Sequence, residues 1–154
     1  MRITAKADYA VRAAAELAAA GSPSGRPIKG EQLASAQKIP QKFLENILAD
    51  LKRAGLIRTR RGAEGGYALI RPATDITVAD VLRAVEGPLA AVQGTRPEAL
   101  NYSGAAAQLA EVWVALRANL RAVLENVTLA DLATGSLPKR VAALATAPGA
   151  WEPH

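Results

Sequence analysis

Three arginines, Arg58, Arg60 and Arg61, stand within four positions just ahead of a glycine-rich turn, Gly62-Ala63-Glu64-Gly65-Gly66. Guanidinium groups carried on such a turn suit a polyanion, since each is permanently charged and presents a planar fork of donors to phosphate oxygens. The polar side chains Gln41, Lys42, Glu45 and Asn46 come shortly before them. Bond-breaking chemistry has far less to work with. The one histidine is the last residue, His154, and there is no cysteine, so a Ser-His-Asp or Cys-His arrangement would have to be built from the chain end. No Gly-x-x-x-x-Gly-Lys phosphate loop occurs, and Gly62 to Gly66 lacks the strand-to-helix setting of a nucleotide loop. The 14 carboxylates are scattered, which favours neither a magnesium site nor paired acid-base work. No catalytic residue, metal site or enzymatic activity is expected.

The elements that carry these residues follow from periodicity. Leu44, Ile47, Leu48 and Leu51 recur at i, i+3, i+4 and i+7, which predicts an amphipathic helix over 41–54 with Lys42, Glu45 and Asn46 off its apolar face. Pro40 suits its first turn and Gly55 the left-handed residue after its last. Leu56 to Arg60 and Tyr67 to Arg71 predict two strands of a hairpin whose tip glycines, Gly62, Gly65 and Gly66, supply positive φ. Before these, residues 30–37 predict a short helix around Leu33 and Ala36, with Lys38-Ile39-Pro40 as the turn into the longer one. Residues 3–20 predict a first helix with Ile3, Ala7, Ala10, Val11, Ala14, Leu17 and Ala18 along one stripe, ended by the loop Gly21-Ser22-Pro23-Ser24-Gly25. Two helices joined by a tight turn and followed by an arginine-bearing hairpin form a winged helix-turn-helix, a motif that binds duplex DNA.

Charge divides the chain in the same way. Residues 1–72 hold 13 Lys and Arg against 6 Asp and Glu, a net of +7, while residues 73–154 hold 6 against 8, a net of −2. A basic first half with a near-neutral remainder fits a polyanion-binding domain joined to a part with another task. Residues 1–20 interleave Arg2, Lys6, Asp8, Arg12 and Glu16 with alanines, so no signal-peptide core and no membrane-spanning run is expected, and the location expected is cytoplasmic.

In the second half, Thr77 with Asp80 three places on predicts a capped helix through Val81, Leu82 and Val85, stopped by Gly87-Pro88. Residues 88–101 show no period and are expected to be a loop. Residues 102–127 predict the longest helix. Its apolar residues Leu109, Trp113, Leu116, Leu120, Val123 and Val127 step by four and three alternately, the seam of a coiled coil. Such a seam packs either within its own domain or against the same helix of a second chain. Thr128 with Asp131 repeats the capping pattern, another helix falls within 136–145, and Pro148 to His154 is expected to be a mobile end. The domain organisation expected is a winged helix-turn-helix domain over 1–87 with its wing over about 56–71, a loop over 88–101, a dimerisation helix and short helix over 102–134, and a terminal segment over 135–154. The fold class is mainly α with a small β-hairpin wing.

Four stretches together resemble the Rrf2 family of bacterial transcriptional regulators: Met1-Arg2-Ile3-Thr4-Ala5-Lys6-Ala7-Asp8-Tyr9-Ala10-Val11-Arg12, Phe43-Leu44-Glu45, Arg61-Gly62-Ala63-Glu64-Gly65-Gly66-Tyr67-Ala68-Leu69 and Ile76-Thr77-Val78-Ala79-Asp80-Val81-Leu82. The match runs from residue 1 to about 134 in family order. The resemblance implies a homodimer of winged helix-turn-helix domains held by crossed long helices, bound to an imperfectly palindromic operator, and the function expected of it is that of a repressor. It further implies that Arg2, Thr4, Lys6 and Tyr9 lie near the phosphate backbone and that Gln41, Lys42, Glu45 and Asn46 face the major groove. Arg61 would then enter the minor groove, although the sequence leaves the choice between Arg60 and Arg61 open. The chemistry suits these roles, because Lys and Arg near phosphate give salt-sensitive affinity, Glu accepts from cytosine and Gln or Asn bridges adenine. A narrow minor groove attracts a guanidinium. On spacing alone, Glu45 equally suits a surface pair with Lys42 or Lys52.

One departure from the family pattern is clear. Many members hold an iron-sulfur cluster through three cysteines placed before the long helix, whereas Pro88 to Gln108 contains none. No cofactor is therefore expected, and Asp8, which falls where some cluster-binding relatives place a carboxylate ligand, reads as an ordinary surface acid. The regulatory input is open between a protein partner and a small apolar or aromatic effector bordered by Trp113, Tyr102 and the 88–101 loop. Two other functions fit the same residues. A winged-helix module that binds protein predicts little salt dependence and tolerance of charge reversal at Lys6 and Lys42; a small-molecule-sensing dimer predicts that Trp113 responds to its ligand.

Overall fold

Small side chains on the first helix decide how closely everything else approaches it. In the computed structural model, which describes residues 2–153, α1 spans Ala5–Ala19 and buries Ala7, Ala10, Ala13, Ala14 and Leu17. Around it pack α2 (Gly30–Gln37), α3 (Gln41–Arg53), α4 (Val78–Glu86) and α6 (Leu129–Thr134). Alanine combines high helix propensity with little bulk, so α1 serves as the central post. The helix starts two residues later than the periodicity predicts because Thr4 is its cap, its Oγ1 accepting from the Ala7 N–H at 3.0 Å. Ile3 consequently lies outside the apolar stripe and is 83% exposed.

The turn between α2 and α3 runs through Lys38 in the left-handed region (φ 53°) and buries Ile39. Leu44, Ile47, Leu48 and Leu51 of α3 are all buried, the face their spacing predicts. Gly55 (φ 73°) closes α3 as a Schellman motif: its N–H bonds to the Lys52 carbonyl and the Leu56 N–H to the Leu51 carbonyl, both at 3.0 Å.

Strands β1 (Ile57–Arg60) and β2 (Gly66–Leu69) pair antiparallel with Ile57 opposite Leu69 and Arg60 opposite Gly66. The hairpin is tied to the domain by Ile28, which exchanges two backbone hydrogen bonds with Tyr67 at 2.7 and 2.9 Å. That approach explains Gly66: a Cβ there would lie 2.5 Å from the Ile28 carbonyl oxygen. Gly62 and Gly66 have positive φ as expected, whereas Gly65 does not. At Gly65 the constraint is space, since a Cβ would fall 2.2 Å from the Arg60 carbonyl oxygen.

Helices α4 and α6 enter the core through matching devices. Thr77 and Asp80 form a reciprocal capping box, as do Thr128 and Asp131, and the two caps lie side by side. The Val78 N–H donates to the Val127 carbonyl at 2.8 Å and the Leu129 N–H to the Ile76 carbonyl at 2.9 Å. Leu129 is fully buried with the residues of α1, α3 and α4. The core therefore recruits a segment from beyond the long helix.

The long helix, α5, spans Leu109–Leu124 rather than 102–127. Upstream, Gly104 (φ 60°) opens a single 3-10 turn, Gly104–Ala106, and Ala105, Ala106 and Ala107 are exposed; alanine propensity without a buried face does not extend the helix. Downstream, the pairing of Val127 with Val78 pulls the chain out of helix, so Val127 is buried in the domain core instead of continuing the seam. The 88–101 stretch carries local order: Val92 and Thr95 exchange 2.9 Å backbone bonds around Gln93 and Gly94, both at positive φ, and Pro97–Ala99 forms a 3-10 turn against α5. A last helix, α7, spans Lys139–Ala145.

Candidate nucleic-acid interface

Gln41, Lys42, Glu45 and Asn46 are all exposed on the first two turns of α3, opposite its buried leucines. Among the described residues none of the four makes an ion pair, so Glu45 is held by neither Lys42 nor Lys52; the Lys52 ammonium donates instead to Thr59 Oγ1 at 3.2 Å. Beside this face a cleft runs between the start of α2, α3 and the hairpin, bounded by Gln41, Glu45, Arg60 and Tyr67. Arg60 also lines a second cleft, with Pro23, Arg58 and Ala68. Arg61 is exposed at the hairpin tip. The third arginine of the run points elsewhere, its guanidinium donating to the Pro23 carbonyl at 3.2 Å. An ion pair between Arg26 and Glu64 at 2.6 Å ties the tip back to the loop after α1.

The α1 residues divide by what holds them. Arg2 is exposed. Thr4 caps α1 and donates its hydroxyl hydrogen to Glu86 at the end of α4. Lys6 pairs with Asp50 of α3 at 2.7 Å. The Lys6 hydrogen bond, followed by Arg53, holds the Asp50 carboxyl below its ordinary value against the opposing effect of burial. Tyr9 is half-buried, its ring edge-on to Phe43 with centroids 5.6 Å apart and the Arg12 guanidinium 5.2 Å from its own centroid. Arg12 also donates to the Gln37 side chain at 3.1 Å and pairs with Asp8 at 3.0 Å. Lys6 and Tyr9 therefore sit at the α1–α3 junction and fix the pose of α3. The Lys6–Asp50 and Arg12–Gln37 contacts have no signal in the sequence, because their partners lie far along the chain, whereas Asp8–Arg12 and Asp50–Arg53 are local pairs.

On α5 the apolar positions Leu109, Trp113, Leu116, Leu120 and Val123 are only half-buried, Val112 is 54% exposed, and no residue of the sixteen is buried.

The Rrf2 family profile, described as an iron-dependent transcriptional regulator, matches residues 3–135. The chain belongs to the Rrf2 family. It is 53% identical over 145 residues to Rv1287 of Mycobacterium tuberculosis, a protein named as a candidate HTH-type transcriptional regulator, covering 94% of this chain and 89% of that one. With the HTH-type transcriptional regulator CymR of Bacillus subtilis it shares 32% identity over 134 residues, covering 87% and 91%. The solved structure of B. subtilis CymR, titled the global cysteine regulator of that organism, superposes with a TM-score of 0.72 at 31% identity, covering 88% of this chain and 98% of the other. T. potens IscR superposes with a TM-score of 0.70 at 30% identity, covering 88% of each. The protein is a DNA-binding transcriptional regulator with a winged-helix fold, not an enzyme.

The family description names iron, and the residues of this chain do not fit an iron-sulfur cluster. No thiolate is available anywhere in the sequence, and no group of three His, Cys, Asp or Glu side chains converges among the described residues. Asp8 is engaged by Arg12 on the surface of α1. The loop and α5 do border a cleft, lined by arginines; neither Trp113 nor Tyr102 lines it.

Proposed function

We propose that the protein is a homodimeric repressor that reads a palindromic operator with α3 in the major groove and the hairpin tip in the adjacent minor groove. The observation that carries this reading is the combination on one face of four exposed, unpaired polar side chains on α3 with the exposed Arg60–Arg61 wing. Gln41, Glu45 and Asn46 discriminate bases, at about 1–3 kcal/mol for each good contact. Lys42 and Arg2 bind phosphate and supply the salt-sensitive part of the affinity. Arg61 is assigned to the minor groove because it stands exposed at the hairpin tip, just past the end of β1.

The homodimer is supported by α5, a sixteen-residue helix with an apolar seam and no buried residue. Helical stability in a protein comes mainly from packing an apolar face, and a second copy of α5 supplies that packing. The domain boundaries follow: residues 1–87 with the capped segment 127–134 form the reading unit, α5 joins two such units, and 135–154 flank the joint. Repression is steric, by occupation of a promoter. A signal that alters the angle between reading units changes their fit to half-sites spaced by whole helical turns.

Fluorescence anisotropy on a duplex from upstream of the gene tests the wing. Arg61→Ala is expected to weaken binding and lower the log–log salt slope by about 1. Unchanged affinity and slope would remove the wing from the interface.

A further inference from the structure

The cations of the second half of the chain are unevenly placed. Residues 73–154 hold six Lys and Arg against eight Asp and Glu, yet four of the six, Arg83, Arg96, Arg117 and Arg121, line one cleft of about 430 Å³ where α4 ends. Three elements deliver them: Arg83 comes from α4, Arg96 from the loop after it, and Arg117 and Arg121 from successive turns of α5. Bringing like charges together from separate elements is unfavourable unless something neutralises them.

The chain's own carboxylates do this only in part. Glu98, the one acid lining the cleft, accepts from Arg117. Glu125 accepts from Arg83 and from Arg121 Nε at 3.0 Å, and Asp80 lies 3.9 Å from Arg83; neither acid lines the cleft. Among the described residues Arg96 makes no ion pair, and Arg121 is engaged through Nε alone, which leaves the terminal nitrogens of its fork unpaired. Pro88 and Leu89 lie beside these donors, and hydrogen bonds from a guanidinium to an anion are charge-assisted, about twice as strong as neutral ones.

We propose that this cleft binds a small anion carrying two or more negative charges, either a phosphate or a di- or tricarboxylate. Guanidinium forks arriving from α4, the loop and α5 match paired oxygens bidentately. The ion bridges α5 to α4, whose other contacts are with α1 and α3 of the reading unit, so occupation changes the angle between that unit and the dimer helix. This effect on DNA rests on the reading above, whereas the binding itself is measured without DNA.

Isothermal titration of the full chain with inorganic phosphate, succinate and citrate, each at one ionic strength set with sodium chloride, tests the site and separates the two ligand chemistries. The same titrations are run on Arg96→Gln, which breaks no ion pair within the described chain, and on Arg121→Gln, with light scattering on both variants. The expected result is saturable binding of at least one probe at one site per chain, weakened about tenfold or more in either variant as expected for a lost charge-assisted hydrogen bond, at unchanged oligomeric state. Duplex affinity is expected to shift when that probe is present. The proposal is overturned by the absence of saturable heat at millimolar concentrations, or by equal binding in the variants, which would mean an adventitious ion only. A smaller oligomer in either variant overturns it as well, because the arginines would then serve the contact between copies. Failure of the ion-free chain to bind any duplex would count against the DNA-reading proposal alone.

Discussion

Asp50, with its side chain 18% exposed, is met by Lys6 at 2.7 Å and Arg53 at 2.7 Å, and it joins the start of α1 to the last turn of α3. Its carboxyl is held below the ordinary value chiefly by Lys6. A depressed folded value means that its contribution to stability is fully present above the unfolded value, about 3.9, and disappears as pH falls through the folded one. Urea unfolding between neutral pH and about pH 3 is expected to show a larger loss of stability for the wild type than for Asp50→Asn. The same variant frees the Lys6 ammonium for phosphate, so its duplex binding is expected to steepen in salt dependence by about one unit of log–log slope; an unchanged slope would leave Lys6 with its structural role only. Residue types alone displayed Lys6, Gln41, Glu45 and Arg61 as cations and hydrogen-bonding groups. What holds Lys6 was not legible, because Asp50 is forty-four positions away and nothing local links them.

Elements were the most legible level. Thr77 with Asp80 and Thr128 with Asp131 mark the starts of α4 and α6, Gly55 marks the end of α3, and each occupies the predicted place because capping is a local interaction. Element ends set by distant partners were not legible: Val127 leaves the helix for a backbone bond to Val78, and Ala105 to Ala107 stay outside α5 despite their propensity. Gly65 shows the same limit on a smaller scale, since the space it spares is taken by the Arg60 carbonyl rather than by any turn preference. Thr128→Ala removes the cap that seats Leu129 in the core, and a destabilisation of about 1 kcal/mol is expected. In a thermal melt this appears as a midpoint lowered by a few degrees; an unaltered midpoint would show that packing of Leu129 alone secures α6.

For the whole molecule, the division of charge and the unburied seam belong to one arrangement. The proposed reading face is basic, while Leu116, Leu120 and Val123 of α5 are only half-buried and form the seam proposed to meet a second copy. Leu116→Glu places a charge in that seam without touching the buried core, and light scattering is expected to report a single chain with an intact helical spectrum and much weaker duplex binding, because each half-site is then bound separately. The sequence displayed the seam through its alternating spacing. It did not display the convergence of four arginines behind it, which depends on how the 88–101 loop folds onto α5. The most direct measurement is sedimentation of the wild-type chain with a labelled duplex from upstream of its gene, at low and at raised salt. Two chains on each duplex, released as salt rises, are predicted; a single chain in solution that ignores the duplex even at low salt would contradict the account.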